Sequence, residues 1–365
     1  MCAFVFLVLT AIAVITGWLS VSLIAAWAAQ AGWAVVAPTM VLAPALAILV
    51  HEAGHVLGGL AAGMRPVLMI FGPLGLHWRR GKFWPRLRLN APVPGGFTLS
   101  LPHGGRAVRR QIIWMTAGGP ASSLILAGAA AAAAVALTAE SSLRGAALFT
   151  GLVSAALFLA TAVPWAYRGM GSDGAKIRTL LKDNRRSRSL AANLSLLAAA
   201  RAGTPPAQWP PALLDRALAA GPGTPEKAAA LHFACWAALD AGDNALAEQR
   251  LDALRATASG MSEAIAAPVA FEAAAFHLFV RREPEMARTL IEGRRPAVFQ
   301  DRYLEPLVGA GLALAAGERT RAAKLAKRAR TELRRALFPA IAALHGRWLE
   351  EVEERLAEPR HVRPR

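Results

Sequence analysis

The chain has 365 residues, of which 55% are hydrophobic and 18% charged, with a mean hydropathy of +0.36 and a formal net charge of +17. That length points to two or three domains, and the hydropathy excludes both an ordinary soluble enzyme and a disordered chain. The only cysteines, Cys2 and Cys235, exclude a disulfide scaffold and a cysteine-based zinc cluster.

Taken in chain order, the first half is apolar and the second is not. Residues 3–29 carry no charge and are long enough to cross a hydrocarbon core. They lack a basic leader and exceed a signal peptide in length, so they read as a retained anchor. A second apolar run covers 34–62, broken by Pro38 and Pro44, and further runs cover 112–138 and 146–166. Between the second and third lies a loop, 63–111, that holds Arg65, Arg79, Arg80, Lys82, Arg86, Arg88, Arg106, Arg109 and Arg110 and no acid. Basic loops stay in the cytoplasm. Four spans with both termini cytoplasmic follow, with outer turns at Gln30–Gly32 and Glu140–Arg144. Within the loop, Val67–Phe71, Phe83–Asn90 and Gly96–Leu101 read as short strands of a membrane-associated β-hairpin region.

From about 187 the chain is rich in Ala, Leu and Arg with helical periodicity. A weak repeat runs through Leu239–Gly242 toward Ala247, through Phe279–Ala287, and through Leu314–Gly317 toward Ala322. Spacing near 35–40 residues is similar to tetratricopeptide-type helical hairpins, although the aromatic positions of that repeat are mostly absent. His232, His277 and His345 lie singly and read as packed or surface histidines. The expected fold is thus an all-α polytopic membrane protein. Residues 1–182 form the transmembrane domain with its small β-hairpin region, and 183–365 form a cytoplasmic α-helical, repeat-like domain.

The chemistry lies in the second span, which contains His51-Glu52-Ala53-Gly54-His55. Histidines four apart project from one face of a helix, so two neutral nitrogens can reach one zinc ion while Glu52 points at a water held by the metal. Zinc lowers the pKa of such a water to about 7. Ionisable groups in a membrane span are costly and mark function. The third ligand expected is Asp173, at the end of the fourth span; the competing reading makes Ser172 or Asp173 the N-cap of a following helix. Gly174 permits a close backbone approach there.

An HExxH in one membrane helix, followed over a hundred residues later by a Pro…Ser-Asp-Gly element closing another, resembles the site-2 protease family of membrane-embedded zinc metalloproteases. The resemblance covers roughly residues 34–182. It implies one zinc per chain held by His51, His55 and Asp173, with Glu52 as catalytic base. Gly95-Gly96-Phe97 resembles the family's Gly-Gly-aromatic strand, which would pair with an extended substrate, and Thr116–Pro120 resembles its Gly-Pro helix opening. The chain departs from the family in having Thr161 and Ser123 where asparagines are usual, and it has no PDZ-like insertion.

The expected function is hydrolysis of peptide bonds in or near membrane segments of transmembrane proteins or signal peptides. The C-terminal domain would offer a surface to a protein partner. The alternative is an inactive relative acting as a membrane scaffold. A zinc protease class with a downstream glutamate ligand would need Glu140, which this topology puts on the outer side. Nucleic acid is not an expected partner, because topology accounts for the basic loop and no base-reading motif occurs. The Ala-rich, Arg-over-Lys composition suggests a GC-rich bacterial genome, and with the spans the expected location is a bacterial plasma membrane.

Overall fold

The computed structural model describes residues 25–79, 82–87, 95–103, 107–167, 170–297 and 300–358. Most of the first predicted span therefore lies outside the described residues, as do Arg80, Arg88, Arg106 and the tail 361–365; of that span, 25–29 are helical, within a helix α1 described over 25–31. Three further helices follow the apolar runs: α2 (Trp33–Ala61), α3 (Val108–Ala136) and α4 (Ser142–Ala162). Helix α2 continues through Pro38 and Pro44, where packing inside a bundle tolerates the missing backbone donors.

Among the described residues, four helices are long and apolar enough to span a membrane: these three and Glu263–Arg281. Burial separates them. The apolar windows of α2, α3 and α4 are 17%, 28% and 6% buried, against 61% for Glu263–Arg281. The first three expose residues such as Val41, Leu42, Ile125 and Leu152, the pattern of a membrane protein. The fourth lies in the core of the C-terminal helices, with Phe271, Ala274, Ala275 and Leu278 buried against Tyr303, Leu307 and Leu349.

At one end of the bundle, Gln30 donates to the Ala139 carbonyl, so the two turns expected on one side of the membrane do meet. At the other end α2 passes directly into an antiparallel sheet. Its strands β1 (Arg65–Phe71), β2 (Leu74–Arg79), β3 (Lys82–Leu87) and β4 (Gly96–Leu101) lie in the order β3-β2-β1-β4. The hairpin region is thus larger than expected. Strand β2 went unanticipated because Gly72-Pro73, read as a break, is the tight turn that pairs Phe71 with Leu74. Val67, Leu68, Ile70 and Leu101 pack against Leu194, Leu197, Leu337 and Phe338 of the C-terminal helices. Arg201 reinforces the seam by donating to the carbonyls of Leu337 and Trp78.

After α4, a two-residue hairpin, β5 (Ala166–Tyr167) with β6 (Met170–Gly171), leads into α5 (Asp173–Leu181) and then α6 (Arg185–Ala202). Helix α7 (Pro211–Leu218) precedes three helical hairpins: α8 (Pro225–Asp240) with α9 (Asn244–Ala258), α10 (Glu263–Phe276) with α11 (Pro284–Ile291), and α12 (Leu304–Ala315) with α13 (Arg319–Leu333). Helix α14 (Pro339–Ala357) follows them. The weak repeat coincides with these hairpins. Gly242, Arg282 and Gly317 turn the chain with φ of 80°, 63° and 76°, and five residues after each stands a fully buried alanine, Ala247, Ala287 and Ala322. The middle copy degenerates because a π-helical turn, His277–Arg281, precedes Arg282.

Sequence reading missed a polar network inside these helices. His345 sits between Tyr303 and Glu272, at 3.0 Å from each. Trp236 also donates to Glu272 at 2.9 Å, and the His232 ring lies 3.5 Å from its second oxygen. Helices α8, α10 and α14 thus meet at one buried carboxylate, with Tyr303, at the start of α12, behind His345. Removing one partner of such a pair costs about 3–5 kcal/mol. His345→Leu is therefore expected to lower the unfolding midpoint of the purified chain, and Glu272→Leu combined with it to recover much of the loss.

Helices α2 and α3 approach closely at glycines. A methyl group on Gly118 would collide with the Gly54 carbonyl, and one on Gly58 with the Trp114 carbonyl. Overpacking of this kind costs about 1–3 kcal/mol. Gly118→Val should lower the unfolding temperature in detergent and, by prising α2 from α3, the metal content as well.

Candidate metal centre

Helix α2 places His51 and His55 one turn apart, with ring centroids 4.8 Å apart and planes perpendicular. Their outer nitrogens are both held by α3. His51 Nδ1 lies 2.9 Å from Ser123 Oγ, and His55 Nδ1 lies 2.9 Å from the Met115 carbonyl oxygen. A carbonyl only accepts, so His55 Nδ1 carries the hydrogen; in the neutral ring Nε2 then offers a lone pair. Partners of this kind fix the tautomer and orientation of metal-binding histidines.

Both Nε2 atoms point at one carboxylate oxygen. Asp173 Oδ2 is 3.3 Å from His51 Nε2 and 3.4 Å from His55 Nε2. Asp173 reaches this depth because α4 stops at Ala162 and the chain folds back. Ser172 caps α5 by accepting from Ala175 N and donates to the Val163 carbonyl. The start of α5 abuts the end of α4, where a side chain on Gly174 would collide with the Ala162 carbonyl. Ser172 is thus the N-cap, and Asp173, the first helical residue, faces the histidines.

His51, Glu52, His55 and Asp173 are all buried. Ligand atoms of His51, Glu52 and His55 lie within 4.8 Å of one another, a group that could hold a metal ion. The spacing of the two imidazoles from Asp173 fits the same purpose. Nitrogen and oxygen ligands about 2.0–2.1 Å from a tetrahedral centre stand about 3.3–3.4 Å apart, and the structure shows 3.3 and 3.4 Å. Lone pairs that converge at a buried point repel one another, and a cation between them would offset that repulsion.

Glu52 is held separately. Thr98 Oγ1, on β4, donates to Glu52 Oε2 at 2.7 Å and also lies 3.2 Å from the Glu52 carbonyl oxygen. Gly96 lies against the same carboxylate, which occupies the space a side chain there would need. Strand β4 pairs with β1 on one side only and forms an edge of the sheet. The segment Gly95-Gly96-Phe97 thus runs along the site with one flank unpaired among the described strands.

Of the supporting residues considered, Ser123 reaches the cluster, through His51. Thr161 does not. Its hydroxyl hydrogen-bonds back to the Leu157 carbonyl at 2.8 Å, the usual fate of a threonine within a helix. Glu140 follows the opposite end of α3, next to the Ala139–Gln30 contact. Thr98 and the Met115 carbonyl were missed; a threonine in a short strand and a backbone oxygen carry no sequence signal.

No protein-family profile matches the chain, and neither a curated protein nor a solved structure does.

Metal analysis of the detergent-purified chain should give about one bound divalent ion. Asp173→Ala is expected to lose it. Ser123→Ala, which frees His51 to turn, should weaken binding about 10- to 100-fold in chelator competition.

Proposed function

We propose that the chain is an intramembrane zinc metalloprotease that hydrolyses peptide bonds in or near the membrane segments of other proteins, as the site-2 protease family does. One observation carries the reading. Asp173, 118 residues beyond His55 in the chain, meets both imidazoles at ligand spacing. That juxtaposition is what the resemblance requires of these residues.

Zinc in this site would polarise a carbonyl and make a bound water more acidic. The protein's own groups do the rest. Glu52, aligned by Thr98, takes a proton from the attacking water and returns it to the leaving amine as the C–N bond breaks. Gly96 lets β4 run directly against Glu52, so an extended peptide paired with the open edge of β4 would lie beside that carboxylate. A membrane helix must unwind locally to do this, because its peptide bonds are already hydrogen-bonded. Pairing through backbone groups makes no demand on the substrate's side chains, which supports broad substrate recognition. The sheet end of the bundle would be cytoplasmic, in a bacterial plasma membrane. The tetratricopeptide-like hairpins would present a partner surface beside it.

A second reading has its own support. The Ser123 hydroxyl is taken up by His51 and that of Thr161 by Leu157, so neither is free to orient a substrate as an asparagine would. An inactive scaffold that keeps its metal would look the same.

Glu52→Gln distinguishes the readings when assayed with reconstituted transmembrane peptides. The protease reading expects the variant to keep its metal and lose cleavage by about 10²–10⁴-fold or more. Undiminished cleavage by the variant removes Glu52 from the chemistry. A metal-loaded wild type that cuts no membrane peptide leaves the scaffold.

A further inference from the structure

The junction of α4, α5 and α6 encloses a cleft of about 310 Å³ that the proposed chemistry does not use. Pro164 and Trp165 line it from the chain just beyond α4, Arg178, Thr179 and Lys182 from α5, and Arg186 from the start of α6. It has three cationic side chains in its wall and no carboxylate. Arg178 and Lys182 stand one turn apart on the same face of α5, where like charges repel, and neither forms an ion pair among the described residues. The nearby acids are committed elsewhere. Asp183 pairs with Arg109 and Arg188, Glu226 with Arg186, and Asp173 with the two histidines and Lys176.

The location adds a second constraint. Trp165 follows the end of the α4 span. It donates its indole N–H to the Ala160 carbonyl and leaves half its surface exposed; Tyr167 beside it is also exposed. Aromatic residues at the end of a span mark the level of the lipid headgroups. A concave site lined by Pro164 and Trp165 from the end of the span and by Arg178, Lys182 and Arg186 beyond it matches a phosphate diester with acyl chains attached.

We propose that this cleft binds an anionic phosphate group, and that its source is the headgroup of an acidic phospholipid. The inference rests on the membrane reading of α4 and not on proteolysis. Its consequence concerns the metal centre: α5 has nine residues, begins at Asp173, carries Arg178 in its last turn and has Lys182 as its C-cap. A lipid phosphate holding those two cations would hold the helix that presents the third ligand.

The test uses the full chain, purified in detergent, stripped of lipid and offered phosphatidylglycerol and phosphatidylcholine together, with bound lipid counted by native mass spectrometry. Wild type is expected to retain phosphatidylglycerol at least fivefold over phosphatidylcholine. The double variant Arg178→Gln/Lys182→Gln should lose that preference. Lys324→Gln/Lys327→Gln, which removes the same charge from exposed positions on α13, should keep it. Both cleft substitutions are at exposed positions, and an unchanged unfolding midpoint verifies the fold; Lys182→Gln alone should give a partial loss. In a parallel arm, millimolar orthophosphate that displaces the lipid would uphold the phosphate site and assign it to a soluble ligand. Equal retention by the cleft variant and wild type, or no discrimination between the two lipids together with no phosphate binding, would overturn the proposal. No arm reads cleavage, so a failure of the protease reading leaves the result interpretable.

Discussion

His51, His55 and Asp173 meet within an apolar helix bundle, where an unpaired carboxylate costs several kcal/mol. They can remain there only by satisfying one another or a cation between them, and much of the architecture serves that meeting. The glycine contacts of α2 with α3 bring the histidines under Ser123 and the Met115 carbonyl. The early end of α4 opens the space through which the chain folds back. Ser172 then ties the start of α5 to the turn after α4, so that Asp173 enters at a defined depth. Each device is local.

Around that centre the sheet works as a plate between two kinds of environment. One flank receives α2 directly, and Thr98 of its edge strand orients Glu52. Its other face is covered by α6 and the Leu337–Phe338 segment, sealed by Arg201. The C-terminal helices therefore pack on the element that borders the site. Their own core is stiffened at Glu272, where partners from several helices share one buried carboxylate, a geometry that only one packing of the hairpins satisfies.

The parts of this arrangement differed in how far they could be read from residues alone. Long uncharged runs can only be buried or lipid-facing, so α2, α3 and α4 were legible, as was the histidine pair, because i,i+4 spacing defines a helix face regardless of context. Glu263–Arg281 shows the limit of that logic. It is apolar enough to span a membrane, yet it is a core helix, and what distinguishes it is the set of helices packed around it. Strand β2 was hidden by its Gly-Pro turn. Thr161, plausible by its distance from Pro164, faces its own helix.

The sequence by itself determined the composition of the site: two histidines and a glutamate on one helical turn, in a segment too apolar for them to be there idly, and an Asp-Gly beyond the last span. It determined as well that the chain divides into an apolar and a charged half, and that a helical hairpin recurs in the latter. Only the tertiary structure decided that Asp173 shares one point with both imidazoles, that Thr98 holds Glu52, and that a glutamate, a histidine and a tyrosine join in the helical core. The physical reason is the range of the forces concerned. Helix periodicity and hydropathy act between neighbours in sequence. Convergence of groups over 100 residues apart depends on where helices stop and how closely their backbones approach, and that is settled by packing.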